Sequence, residues 1–225
     1  SVTEVAAALE VFGVVAIERR ASEGAVREAL AELQEGRMAE ASVRFGRATQ
    51  LLKSPLDPDK ERAVKALADD PLVLAAAERV RPLHGVGSER AVGWEVRLLI
   101  LRPGTEAGDL HRDVADSSRV PLERPLQWGL NAIWAVDNFT VTNGATRFVP
   151  GSHCTRWPQG SWLPDEEGAE GLAEVAAMPA GSLVLYYASV LHGSGQNGAE
   201  APRTGLNFNY AFVDAEGERP AGWGW

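Results

Sequence analysis

Hydrophobic and polar positions repeat with a helical period in the first third of the chain. Residues Glu23 to Glu35 carry apolar side chains three and four apart, and Ser22 stands in the N-cap position before them. Two more helices are predicted over Asp59 to Ala68 and over Pro71 to Val80, the second with Asp70 as its cap. The pattern therefore predicts a helical N-terminal region.

Three other stretches of this region have different patterns. Val5 to Leu9 forms a short amphipathic run, and the β-branched residues after Gly13, through Ile17, indicate a strand. Gly36 to Pro58 has weak periodicity, and we interpret it as a loop or a segment that contacts substrate.

From Ala91 onward the pattern changes to strands separated by Gly, Pro and Asn. The clearest candidates are Val92 to Leu101, Leu126 to Val136, Thr146 to Val149, Leu183 to Tyr187 and Arg203 to Val213. Helices followed by a run of antiparallel strands predict a mainly β fold of the α+β class, a barrel or sandwich buttressed by helices. We expect one domain over residues 1–225, with helical support in 1–90 and the β core in 91–213.

Two long connections interrupt the strands, Val114 to Pro125 and Cys154 to Gly171. Long loops in a compact domain are often active-site lids, and we expect that role here. Trp157 and Trp162 in the second loop would suit a lid over an apolar substrate, or would anchor the loop.

Composition narrows the functional classes. The net charge is −9, with a pI near 5.0, which argues against nucleic acid as the main partner because phosphate binding needs clustered Lys and Arg. Cys154 is the single cysteine, so no intramolecular disulfide forms. No apolar run reaches membrane-spanning length, and Ser1 to Glu4 lacks the pattern of a signal peptide. We expect a cytoplasmic protein without a membrane partner.

Two histidines and one aspartate suggest a metal site. His111 and Asp113 are two residues apart, so on a strand they would share a face. Alone, this pair is more typical of a surface histidine beside a solvated aspartate than of a metal site. His192 follows a strongly apolar strand and lies in a Gly-rich turn, with Ser194 two residues further on. Two imidazoles and one carboxylate are the ligands of non-haem Fe(II) oxygenases.

The last strand alternates between two kinds of side chain. Small or polar residues at Arg203, Gly205, Asn207 and Asn209 alternate with large apolar ones. The polar face points either to water or into the barrel, and we favour the interior. Arg203 would then face the metal cavity, where its planar guanidinium could hold a dicarboxylate.

Several of these motifs together resemble those of one family. They are His111 to Asp113, Asn143 to His153 (NGATRFVPGSH), Leu191 to Ser194, and Arg203. With these motifs in this order along the chain, the sequence resembles the phytanoyl-CoA dioxygenase family of Fe(II)/2-oxoglutarate oxygenases over about residues 91–213. The resemblance implies a double-stranded β-helix core, with Fe(II), 2-oxoglutarate and O2 as cofactors and ascorbate as a reductant.

The resemblance also implies roles for individual residues. His111, Asp113 and His192 are the implied iron ligands, and Arg203 and Ser194 hold the distal carboxylate of 2-oxoglutarate. Trp134 is implied to line the co-substrate pocket. We add Asn131 as a polar contact there, although it would not share a regular strand face with Trp134, and an ordinary strand amide is the alternative.

The expected reaction is hydroxylation of a small molecule, a specialised metabolite or an amino-acid-like compound, with release of succinate and CO2. Asp113 disfavours halogenation, since related halogenases carry a small residue at the carboxylate position. Desaturation, ring formation and epimerisation would use the same residues. The other open classes are a non-catalytic β-helix binding module and a cupin-like metalloenzyme that does not use 2-oxoglutarate.

Overall fold

The structure is a computed structural model that describes residues 1–36, 41–44, 47–52, 61–78, 92–113, 129–154 and 169–212. The proposed lid Val114 to Pro125 lies outside the described residues. So do most of the second proposed lid, including Trp157 and Trp162, and the first three residues of the strand expected from Leu126.

Polar side chains cap the N-termini of two helices, as the sequence predicts. The described residues form four α-helices: α1 (Val2–Phe12), α2 (Glu23–Gly36), α3 (Arg62–Ala68) and α4 (Pro71–Ala77). Ser22 Oγ accepts a hydrogen bond from the amide of Ala25 at 3.1 Å, and the Asp70 carboxylate accepts from the amides of Leu72 and Val73. These contacts satisfy N–H groups at the helix start that have no partner within the helix. Both predicted caps are confirmed.

In the part of the chain that the structure describes, ten strands form two antiparallel sheets. They are β1 (Val14–Ile17), β2 (Ala41–Arg44), β3 (Arg47–Leu52), β4 (Val92–Leu101), β5 (Leu130–Ala135), β6 (Thr146–Phe148), β7 (Glu174–Val175), β8 (Leu183–Tyr187), β9 (His192–Ser194) and β10 (Arg203–Phe212). The larger sheet has the order β1-β8-β5-β10-β4-β3-β2, and the smaller one the order β7-β6-β9. All five strands predicted after Ala91 are present, with small differences at their ends.

The N-terminal region contributes more than helical support. β1 pairs with β8, and β2 and β3 extend the larger sheet beyond β4. Part of the segment between Gly36 and Pro58, which we interpreted as a loop or a segment that contacts substrate, therefore forms two paired strands at the sheet edge. Its pairing depends on β4, which lies far away in sequence, so the local pattern carried little signal.

The larger sheet separates a helix-covered face from a cavity. Every residue of β5 and β8 is buried, as their apolar composition predicts for central strands. On the helical side, the Tyr210 hydroxyl donates to the carbonyl of Ala68 in α3 at 2.8 Å. The opposite face of the same strands lines the cavity described below. Among the described residues, no helix is long and apolar enough to cross a membrane.

Candidate metal centre and cavity

Backbone pairing brings the two histidines together. His111 and His192 form an isolated antiparallel bridge, in which each amide donates to the other's carbonyl at 2.9 Å. A Cβ atom at Gly193 would lie 2.8 Å from the carbonyl oxygens of Gly108 and Asp109, so only glycine allows this approach. His192 thus begins strand β9, and the prediction that it lies in a turn was wrong.

Hydrogen bonds to the backbone orient both imidazoles. Nδ1 of His111 lies 3.0 Å from the carbonyl oxygen of Asp109, and Nδ1 of His192 lies 3.0 Å from that of Val190. A carbonyl can only accept, so each ring donates from Nδ1 and leaves the Nε2 lone pair available to a metal.

The three candidate ligands converge on one point. Nε2 of His111 lies 3.6 Å from Asp113 Oδ1, and Nε2 of His192 lies 3.3 Å from Asp113 Oδ2. The three ligand atoms lie within 4.8 Å of one another. Adjacent ligands about 2.1 Å from one ion lie roughly 3 Å apart, so this donor set fits a transition metal without rearrangement of the backbone.

The electrostatics of the metal-free cluster couple Asp113 to the histidines. Burial opposes ionisation of Asp113, but the neighbouring His192, His111 and Arg97 outweigh it and lower the pKa of the carboxyl. Burial likewise opposes protonation of His192, yet Asp113 raises the pKa of that imidazole. The metal-free cluster therefore favours binding of a cation, either a proton or a metal ion.

Neighbouring polar groups hold Asp113. Its amide donates to the carbonyl of Ala188 at 2.8 Å, and Nδ2 of Asn131 donates to its Oδ2 at 2.7 Å. The hydroxyl of Tyr186 lies 3.4 Å from Nε2 of His192, and burial together with Asp113 raises the pKa of this tyrosine well above its ordinary value. Tyr186 therefore remains a neutral hydroxyl beside the metal ligands.

A cavity of about 210 Å³ adjoins the cluster, between the two sheets. Residues of both sheets line it, including Arg97, Leu99, Ile133, Thr146, Tyr186, Ser194, Arg203, Asn207 and Asn209. The polar face of β10 therefore points inward, and the interior orientation that we favoured for this strand is confirmed.

Arg203 lies at the start of β10, on the cavity wall. Its exposed fraction is 2%, its Nη2 donates to the carbonyl of Gly144 at 2.6 Å, and its guanidinium carbon lies 4.3 Å from the ring centroid of Phe139. Gly144 has φ 78°, and a Cβ there would lie 2.2 Å from the side chain of Leu101. The Asn-Gly turn thus supplies the carbonyl that orients the guanidinium.

Ser194 lies in the same region. Gly195, the next residue, packs against Gly144, and Thr146 lies opposite Ser194 in the register of β6 and β9. The Ser194 hydroxyl is buried, and no described residue hydrogen-bonds to it. A buried hydroxyl without a partner among the described residues, in the same cavity as Arg203, is suited to a ligand with a carboxylate.

Trp134 does not line the cavity, and we correct that expectation. Successive strand side chains alternate between faces, so Ile133 lines the cavity while Trp134 is buried in the core on the other face. The same alternation turns Asn131 toward the metal cluster, where it contacts Asp113. Asn131 is thus a neighbour of the carboxylate ligand, and the structure shows no contact from it to Arg203 or Ser194.

Two contributors to the site escaped the sequence argument. Tyr186 lies in a continuous apolar run whose composition gives no sign of which residue faces the metal. Arg97 was counted only as part of a strand, although a charged residue within an apolar strand could have signalled an inward-facing group.

Comparison with known proteins shows one consistent relationship. The family model described as phytanoyl-CoA dioxygenase (PhyH) matches residues 9–205. "Dioxygenase cdmA" of Talaromyces verruculosus is 39% identical over 111 residues, which are 48% of this chain and 36% of that protein. The chain spans less than half the length of the curated relatives that it matches.

Solved structures share the fold. The epimerase SnoN, in complex with Fe3+, alpha ketoglutarate and nogalamycin RO, superposes with a TM-score of 0.70 at 20% identity, over 98% of this chain and 87% of that one. EctD from S. alaskensis, with 2-oxoglutarate and 5-hydroxyectoine, gives a TM-score of 0.70 at 20% identity, over 98% and 78%. The double-stranded β-helix fold is thereby confirmed.

Proposed function

Because the chain belongs to the phytanoyl-CoA dioxygenase (PhyH) family, we propose that it is an Fe(II)/2-oxoglutarate-dependent oxygenase acting on a small molecule. The observation that carries this proposal is the convergence of His111, Asp113 and His192 in one cavity with Arg203. A metal site alone would fit many enzymes. A buried arginine on the same cavity wall is in addition suited to an anionic ligand.

The proposed ligands are His111, Asp113 and His192, which would hold Fe(II) and leave its other coordination positions open. When bound, iron with 2-oxoglutarate and O2 supplies oxidation of a C–H bond, with succinate and CO2 as co-products. The chain's own residues position these components. The carbonyls of Asp109 and Val190 keep both imidazoles in the tautomer that binds metal.

Arg203 and Ser194 are proposed to bind the distal carboxylate of 2-oxoglutarate. The guanidinium is held by the Gly144 carbonyl and the face of Phe139, so little side-chain entropy remains to be lost on binding. The Ser194 hydroxyl supplies a second hydrogen-bond donor. Burial of both groups strengthens their interaction with a charged ligand, because water does not compete there.

We propose a small organic molecule as the primary substrate and hydroxylation as the reaction. The relationship to SnoN, solved with nogalamycin RO, and to EctD, solved with 5-hydroxyectoine, supports a small-molecule substrate. The carboxylate of Asp113 would supply the third ligand of the metal, which supports oxygenation over halogenation.

A calorimetric comparison of 2-oxoglutarate with glutarate tests the proposal. Glutarate keeps both carboxylates and lacks the keto oxygen that chelates metal. With Ni(II) in place of Fe(II), we expect 2-oxoglutarate to bind much more tightly than glutarate, and to lose that advantage in the metal-free protein. Equal affinity for the two dicarboxylates in the presence of metal would indicate a carboxylate-binding module and contradict the proposal.

A further inference from the structure

A chain of amide hydrogen bonds runs from the metal cluster along the cavity wall. Asp113 Oδ2 accepts from Nδ2 of Asn131, and Oδ1 of Asn131 accepts from Nδ2 of Asn209. Asn131 is 2% exposed and Asn209 is 8% exposed, so water does not compete for these bonds.

The carboxylate fixes the orientation of both amides. A metal-binding carboxylate only accepts hydrogen bonds, so Asn131 must present its NH2 group to Asp113. Its carbonyl oxygen then faces Asn209, which must present its own NH2 group in turn. The consequence is that the carbonyl oxygen of Asn209 is left as an acceptor at the end of the chain.

Two residues of the cavity lining therefore carry an unpaired acceptor. Oδ1 of Asn209 and Oδ1 of Asn207 are both buried, and neither receives a hydrogen bond from any described residue. Both residues line the cavity, and Asn207 is 7% exposed. They are two positions apart on the same face of β10, roughly 7 Å along the strand. Buried acceptors without partners are costly, so these two oxygens favour any hydrogen-bond donor that enters the cavity.

These acceptors do not suit 2-oxoglutarate. Its two carboxylates and its keto oxygen are all acceptors at neutral pH, and they would face the amide oxygens unfavourably. Arg203 and Asn207 are four residues apart on β10, so their backbones lie roughly 13 Å from each other. The two asparagines therefore lie toward the end of the cavity wall away from Arg203.

The neighbouring charges are paired with each other. Arg97 lies opposite Asn207 and Glu95 lies opposite Asn209 in the register of β4 and β10. Their side chains form an ion pair at 2.9 Å and are 17% and 14% exposed, respectively. Because these charges offset each other, the wall beside the asparagines selects for hydrogen-bond donors more than for net charge.

We propose that Asn207 and Asn209 form a subsite that recognises hydroxyl or amino groups of the primary substrate. This inference rests on the proposed function, since it assigns the end of the cavity beyond the 2-oxoglutarate site. Asn209 is a substrate-positioning residue linked through Asn131 to Asp113, so the donor group is held in a fixed relation to the metal. A substrate that is a plain hydrocarbon would leave both acceptors unpaired.

Matched small probes test the subsite. Binding of cis-1,3-cyclohexanediol, its dimethyl ether and cis-1,3-cyclohexanediamine is measured by saturation-transfer NMR on Ni(II)-loaded protein, with and without 2-oxoglutarate. We expect the diol and the diamine to bind, and the ether, which has no donor, to bind about fivefold or more weakly. Equal binding of the ether and the diol, or no binding of either donor probe, would overturn the proposal.

Variants locate the binding at the two asparagines. Asn207→Leu is expected to weaken diol binding about fivefold or more, while Thr204→Val, on the opposite face of β10, leaves it unchanged. Asn207→Asp keeps an acceptor of similar size and adds a charge, so diamine binding should strengthen. Unchanged binding of the probes in Asn207→Leu and Asn207→Asp alike would exclude this residue and overturn the subsite.

The two proposals can fail separately. If metal-dependent binding of 2-oxoglutarate is absent but the diol binds through Asn207, the oxygenase proposal fails and the donor subsite stands. If 2-oxoglutarate binds as expected and the probes show no preference for donors, the subsite alone is overturned.

Discussion

Removing the amide of Asn131 should weaken metal binding while the fold persists. Nδ2 of Asn131 lies 2.7 Å from Asp113 Oδ2 in a buried position, so Asn131→Leu leaves that oxygen without its amide donor. A hydrogen bond to a charged group contributes about 1.5–3 kcal/mol. At about 1.4 kcal/mol per tenfold change, this predicts a loss of metal affinity of roughly 10- to 100-fold.

The assay is a competition titration of Ni(II) against a chromophoric chelator, with circular dichroism to verify folding. Asn138→Ala serves as the control, because it also removes an asparagine side chain that makes a hydrogen bond. The Oδ1 atom of Asn138 accepts from the backbone N–H of Ala180, away from the metal cluster. The control should keep wild-type affinity. An Asn131→Leu protein that is folded and binds Ni(II) within about twofold of wild type would refute the reasoning.

Three further predictions concern other parts of the site. Arg203→Met should weaken 2-oxoglutarate binding to Ni(II)-loaded protein about 100-fold or more in calorimetry, whereas exposed Arg102→Met should not. Trp134→Ala should lower the free energy of unfolding by about 3–5 kcal/mol in urea titrations, yet leave 2-oxoglutarate affinity of the folded protein unchanged. The raised pKa of His192 means that a proton competes with metal at Nε2, so Ni(II) affinity should rise as pH increases through that pKa. Titrations at several pH values from the ordinary histidine value of about 6.5 upwards check this, and a pH-independent affinity would contradict it.

The pH also changes the stability of the metal-free protein. The raised pKa of His192 gives stability that is lost as pH rises through it, and the lowered pKa of Asp113 gives stability that is lost as pH falls through it. The pair therefore stabilises the metal-free fold between those two values. Metal binding replaces the proton, so this contribution does not add to the stability of the loaded protein.

Local chemistry made much of the fold predictable. The caps at Ser22 and Asp70 follow from side-chain hydrogen bonding within one turn, and the alternation from Arg203 to Asn209 follows from strand geometry. Distant pairing decided the rest. The hairpin of β2 and β3 depends on β4, and β9 has only three residues, too few to show a period.

The site also combines features that local strand geometry predicts with features that depend on distant pairing. Strand alternation already separated Asn131 from Trp134, and the structure follows that alternation and not the pocket role implied by the resemblance. The amide chain from Asp113 to Asn209 joins three segments that are far apart in sequence. It could not be read from any local pattern, because each asparagine alone looks like an ordinary strand residue.

Formation of succinate from 2-oxoglutarate tests the central claim most directly. Protein loaded anaerobically with Fe(II) is given 2-oxoglutarate and ascorbate and then exposed to air, and succinate is quantified beside a His111→Ala control. We predict slow succinate formation by the wild-type protein that needs both iron and O2, accelerates with a true substrate, and is absent from the control. Succinate formation that is absent in the iron-loaded wild type, or equal in His111→Ala, would contradict the assignment of an iron- and 2-oxoglutarate-dependent oxygenase.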